Sequence, residues 1–210
     1  MNQTPRKQIV YDRIEHRSTG LCPYTLDFEV DSQLETAIDA VYGSKAWRSS
    51  YRNYIVRTPG MPDGRDVWKP GPAYRTDFFG TVWRMDLKPV HVETPAIREA
   101  TLDGYAFPDV SHFATPAWQR SVIEFAEENA DRFIVVYTGF GLFERSWMLR
   151  GFEQALTDSA IDPEFYESLV TAIAEEYFIP LLDILTDLPV DGIMFGDDWG
   201  DQRNVMIGPD

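Results

Sequence analysis

Residues 132–141 read RFIVVYTGFG, and the fold class turns on what this run becomes. From Phe133 to Tyr137 every side chain is apolar or aromatic, and Gly139 and Gly141 punctuate the end. A continuous apolar run of this length is the pattern of a strand covered on both faces, as in a parallel sheet.

The flanking segments agree. Upstream, TPAWQRSVIEFAEENA (115–130) offers Thr115 as a cap and Pro116 as the first helical residue, with Trp118, Val122, Phe125 and Ala126 at helical spacing. Downstream, Met148, Phe152, Ala155 and Leu156 mark one side of a helix, and Asp162-Pro163 opens a longer one. Phe165, Leu169, Ile173, Tyr177, Leu181, Ile184 and Leu188 form its stripe, with a kink expected at Pro180. VDGIMFG (190–196) is then a second short strand. Strand, helices and strand make a right-handed β-α-β crossover.

Nearer the start, TPRKQIVYDRIEHRS (4–18) predicts a helix with Thr4 as cap and Ile9, Val10, Arg13 and Ile14 on one face. GLCPYTLDF (20–28) reads as a short buried strand, with Cys22 a small buried residue, and SQLETAIDAVY (32–42) as a helix ending at Gly43. From 51 to 92 the texture changes to short aromatic and branched runs between Pro-Gly turns, YRNYIVRTPG, RDVWKP and TDFFGTVWRMD, read as an antiparallel β excursion. The fold class is therefore α/β of the (β/α)8 TIM-barrel type, incomplete within these residues. Each barrel unit takes about 30 residues, about 250 in all, so the chain is expected to be the N-terminal part of a longer single-domain protein. The closing VMIGPD looks like the opening turn of another helix.

With 44% hydrophobic and 14% aromatic residues, the 210-residue chain can fill a core. Thirty-four acidic against nineteen basic residues, a formal charge of −15, argue against binding nucleic acid or an anionic membrane. The expected partner is a small-molecule substrate. One cysteine and an N-terminus without an apolar core predict a cytoplasmic protein.

Metal and nucleophile signatures are missing: His16, His91 and His112 are far apart, and no Cys-x-x-Cys, His-Glu-x-x-His, G-x-S-x-G or P-loop occurs. What remains is the set of loops after strands, where ligands bind in parallel α/β folds. In TGFGLFER the glycines allow close backbone approach, Phe140 borders the turn, and Glu144 and Arg145 enter the following helix. In GDDWGDQ the adjacent Asp197 and Asp198 suit acid–base work or ligand binding, because mutual repulsion raises the proton affinity of one. The other reading is a cap with a core tryptophan. Trp199 is expected to wall a pocket, with Gln202 beside it. A third candidate is TDFFGTVWR, where Asp77 and Phe79 precede a glycine, although an ordinary hairpin reads as well there.

The runs FIVVYTGFGLFERSWMLRGFEQALTD and VDGIMFGDDWGDQRNVMIGP, with weaker matches at PRKQIVYDRIEHR, DFFGTVWR and LDGYAFPD, resemble the uroporphyrinogen decarboxylase superfamily, in particular its corrinoid-linked methyltransferase-like branch. The resemblance implies a (β/α)8 barrel with its cleft at the carboxyl ends of the strands. It implies Asp197, Asp198 and Glu144 as catalytic residues, and Arg145, Trp199, Gln202, Phe140, Asp77 and Phe79 as substrate-binding ones. It also implies methyl transfer to or from a corrinoid on a partner protein, with zinc and a corrinoid as cofactors of the full-length protein and no zinc ligand in this chain. The isolated piece is expected to be inactive. True decarboxylases carry an Arg-Gln-Ala-Gly-Arg motif near the first strand. The corresponding GLCPYTLDFEV has no arginine, which counts against the alternative, decarboxylation of an octa-acid tetrapyrrole. A non-catalytic small-molecule binding protein is the remaining alternative.

Overall fold

In the computed structural model, which describes residues 5–17, 20, 22–26, 32–49, 53–65 and 71–206, the decisive run is a strand. The described elements are α1 (Arg6–Ile14), α2 (Ser32–Tyr42), β1 (Ile55–Arg57), β2 (Tyr74–Thr76), β3 (Val82–Arg84), β4 (His91–Thr94), α3 (Pro116–Glu128) and β5 (Phe133–Phe140). After these come α4 (Leu142–Arg150), α5 (Phe152–Ile161), α6 (Pro163–Ile173), α7 (Ile179–Thr186) and β6 (Gly192–Gly196). The strands form one sheet of order β1-β5-β6 and a second of order β2-β3-β4. The chain is thus mixed α/β, and no closed barrel is formed among the described residues. No helix there is long and apolar enough to cross a membrane.

The chain divides into two compact units. The first comprises Met1–Pro59, Ser121–Val136 and Pro189–Ile193. In it β1 runs parallel to β5, with Ile55, Val56 and Arg57 opposite Phe133, Ile134 and Val135. Alternate residues serve opposite faces, as strand geometry requires. Phe133 packs with Val10 and Tyr54, while Ile134 packs with Val56 and Ala126. Asp191 fastens one end: its carboxylate accepts from the Ile134 N–H (2.8 Å) and the Tyr11 hydroxyl (2.7 Å) and pairs with Lys7 Nζ at 2.9 Å.

This arrangement corrects the reading of YRNYIVRTPG. Its IVR core is a strand of the parallel sheet, so the antiparallel excursion is confined to β2, β3 and β4. A three-residue run carries no periodicity that could reveal its partner. Cys22 is exposed rather than buried: Cys22–Leu26 forms no regular strand, and its bonds, Tyr54 N–H to Tyr24 C=O and Leu26 N–H to Asn53 Oδ1 (2.9 Å each), reach the residues just before β1. In α1 only Val10 is buried and Ile14 is 58% exposed, so the apolar face is narrower than its spacing suggests. Thr4, Asp27-Phe28, most of RDVWKP and the final IGPD lie outside the described residues.

The second unit comprises Gly60–Arg120, Tyr137–Leu188 and Met194–Asp210. Gly151, with φ +91°, splits the helical stretch after Phe143 into α4 and α5 and leaves Phe152 44% exposed. Asp162 caps α6 through the Phe165 N–H (3.3 Å). The predicted kink at Pro180 is a wide turn over Ala174–Phe178, where the Ile179 N–H reaches the Ala174 carbonyl five residues back. The buried stripe Phe165, Leu169, Ile173, Tyr177, Leu181, Leu185 repeats every fourth residue. An α-helix turns every 3.6 residues, so a strict fourth-residue stripe drifts unless a wide turn absorbs residues. That turn is why Leu185, not Ile184, is buried.

Candidate active site

Two loops of the second unit meet at the ends of β5 and β6. The Gly141 N–H donates to the Gly196 carbonyl at 2.5 Å, and the residue after Gly196 completes the junction. Asp197 accepts from the Phe143 N–H (3.1 Å) and the Glu144 N–H (2.8 Å) of the first turn of α4. Gly141 precedes α4 and has no side chain to cap it, so a carboxylate from the neighbouring loop takes that role. A Cβ on Gly141 would lie 2.5 Å from Asp197 Cγ, so the glycine is what leaves room for this cap. The Trp199 indole N–H donates to the same carboxylate at 2.8 Å.

The aspartate pair therefore divides its work. Asp197 is a positioning residue that fixes the start of α4. Asp198 is exposed, and its backbone N–H serves the Glu144 carboxylate. Glu144 has a raised pKa, first through burial and then through the charges of Asp197 and Asp198. It holds a proton more readily than an ordinary glutamate. Trp199 is 55% exposed, and Gln202 is exposed on an open depression shared with Asp198. With its indole N–H turned to Asp197, the Trp199 ring lies over the surface.

One residue beyond Glu144, Arg145 turns the other way, into a cavity of about 340 Å³. All of its lining belongs to the second unit. Phe113 and Tyr177 line it, and behind them Phe79 completes three rings in mutual contact with centroids 4.9–5.3 Å apart. The Arg145 guanidinium carbon stands 4.0 Å above the Phe79 ring and 5.8 Å from that of Tyr177. Its side chain is buried, and among the described residues it has no ion pair or hydrogen bond; Nε is fully enclosed without a partner. Burial pulls its pKa below the usual arginine value, with only the longer-range fields of Tyr177, Asp77 and Asp63 opposing. Phe140, the backbone of Gly139, and Asp63 and Arg65 from the loop after β1 complete the wall.

Asp77 is buried nearby and wholly engaged: it accepts from the Phe79 and Thr81 N–H groups (3.0 Å each) and from the Trp83 indole (2.8 Å). Burial raises its pKa despite these bonds. It shapes the turn that presents Phe79. Of the residues singled out in the sequence, then, Arg145 and Phe140 line the cavity, Phe79 supports Arg145, and Asp197 and Glu144 sit at the α4 junction. Tyr177, which reads in the sequence only as part of a core stripe, joins the site, as do Phe113, Asp63 and Arg65, none of which the sequence reading singles out. The signal for Asp63 and Arg65 is their place in PGMPDGR, a loop directly after a parallel strand.

Among the described residues no three His, Cys, Asp or Glu side chains gather as metal ligands would. No protein-family model, curated protein or solved structure matches the chain.

Proposed function

We propose that the chain forms the cleft-bearing part of a uroporphyrinogen-decarboxylase-like (β/α)8 enzyme that transfers a methyl group to or from a corrinoid carrier on a partner protein. The sheet order β1-β5-β6 supports the barrel reading, because it follows chain order as barrel strands do and shows no reversal of the kind found in doubly wound sheets. The observation that carries the functional reading is Arg145: a buried cation with no ion pair among the described residues, facing a cavity beside the loop that follows β5. A fold tolerates such a charge where a ligand supplies its partner.

The corrinoid supplies the methyl-accepting or methyl-donating metal. The chain's own residues bind the small substrate through Arg145 and the surrounding rings, and hold a proton at Glu144. When a methyl carbon leaves oxygen or nitrogen, the bonding pair stays on that atom, which then takes up a proton. Glu144, which holds a proton at the α4 junction outside the lining of that cavity, supplies it to a substrate whose leaving atom extends to the junction. Asp197 keeps Glu144 and Arg145 in register on α4. Decarboxylation of an octa-acid tetrapyrrole fits less well, since the cavity is small and offers one unpaired cation.

The test is transfer between cobalamin and a panel of methyl ethers, amines and thiols by the full-length protein, followed by the cobalamin absorption change. Transfer with at least one donor, reduced on the order of 100-fold in Glu144→Gln, is the expected result. No transfer across the panel counts against it.

A further inference from the structure

We propose that this cavity takes a small monocarboxylate, its carboxylate held by the Arg145 guanidinium and the Tyr177 hydroxyl and its apolar body by the surrounding rings. The inference rests on the cavity being the substrate site and names the substrate class. Arg145 is 7% exposed and Tyr177 1%, both line the cavity, and Arg145 Nε is enclosed with no hydrogen-bond partner among the described residues. A buried cation beside a hydroxyl at a cavity wall suits an acceptor brought by a ligand. Burial raises the Tyr177 pKa, so the hydroxyl keeps its proton and can donate it.

Charge fixes how many negative charges fit. The cavity is bordered by Asp63, Arg65 and Arg145. Asp63 and Arg65 pair with each other at 2.5 Å, and Arg65 also stacks over Trp83 at 4.4 Å, so one positive charge remains. A single carboxylate neutralises it, and its planar pair of oxygens matches the guanidinium fork. A phosphate, carrying about −1.5 to −2 at neutral pH, would exceed the single unpaired charge of the lining. The rest of the lining includes Met61, Pro62, Phe113 and Phe140, and about 340 Å³ lies at the small end of ligand cavities. The occupant is a compact acid with an apolar body.

The experiment titrates the full-length protein with benzoate, butyrate, benzamide and inorganic phosphate, read by calorimetry and by the shift in melting temperature. Saturable binding of benzoate or butyrate, at least about tenfold tighter than benzamide and phosphate, is expected; Arg145→Met abolishes that preference and Tyr177→Phe weakens it several-fold. Equal affinity for benzoate and benzamide, tighter binding of phosphate, no binding of either carboxylate at about 10 mM, or preference retained in Arg145→Met would each overturn the proposal. The comparison of acid with amide uses the unaltered protein and stands whatever the variants do. Arg145-dependent carboxylate binding without methyl transfer sinks the proposed reaction and leaves the ligand class intact. Methyl transfer from uncharged donors, undiminished in Arg145→Met, does the reverse.

Discussion

Replacing Gly141 with alanine tests the borrowed cap at α4. Gly141 has φ −79°, which alanine adopts freely, so the new methyl acts by steric contact alone. It would sit 2.5 Å from Asp197 Cγ and 2.6 Å from its Cβ, distances at which the Asp197 side chain must leave. Leaving breaks its bonds to the Phe143 and Glu144 N–H groups. Losing an aspartate cap costs about 1–2 kcal/mol, and its favourable place at the positive end of the helix dipole adds about 0.5. The exposed Trp199 bond adds little. Gly141→Ala regains about 0.5 kcal/mol through a stiffer unfolded chain, for a net loss of about 1–2 kcal/mol, or about 3–6 °C in melting temperature. Asp197→Gly removes the same cap and costs about 2–3 kcal/mol. In the Asp197→Gly background the alanine methyl meets nothing, so the double variant is no worse than Asp197→Gly alone, with a coupling of about 1–2 kcal/mol. Urea denaturation of the four proteins measures this cycle. Additive losses, or an unaffected Gly141→Ala, would refute the reasoning.

Other expectations follow from the same contacts. Glu144 has a raised folded pKa, so the folded protein binds its proton more tightly than the unfolded chain does. That contribution destabilises at neutral pH and is relieved as pH falls from the raised value towards the ordinary glutamate range. Glu144→Gln should therefore be neutral or stabilising at pH 7, and should flatten the stability profile across that window; a variant less stable at pH 7 than the parent would contradict this. Asp191→Ala strips the Ile134 N–H, the Tyr11 hydroxyl and Lys7 of their shared acceptor and should cost about 3 kcal/mol, where a loss below about 1 would show the network to be peripheral. Thr115→Ala removes the cap bond to the Trp118 N–H (3.1 Å) and should cost about 1 kcal/mol in the same denaturation assay.

The sequence makes much of this fold readable where the signal is local. The Thr115 and Asp162 caps, the apolar run of β5 and the end of α2 at Gly43, with φ +66°, all depend on neighbours within a few residues. Pairing is a longer-range property. Ile55–Arg57 is too short to announce a parallel partner nearly eighty residues away, so by sequence it groups with the hairpins that follow it. Wide turns are likewise silent, since the stripe through Tyr177 reads the same until the Ile179–Ala174 bond shifts its phase. The site shows the same division. The strand-end loops and Arg145 are visible from order and residue type, but Asp197 as the cap of another loop's helix depends on Gly141 and Gly196 lying side by side. That Arg145 is buried with no ion pair among the described residues emerges only from the structure.

The central claim is that Arg145 is kept in the cavity for a ligand and not for the fold. Its burial without a partner carries an effective desolvation penalty of several kcal/mol, against which the stacking on Phe79 returns about 1–2. Methionine keeps much of the length and apolar contact of the side chain without the charge. Unfolding free energy of ligand-free Arg145→Met against the parent is the decisive measurement: a rise of about 1–3 kcal/mol is predicted, and a fall would mean that the arginine holds the structure together and that the cavity was never built around a missing anion.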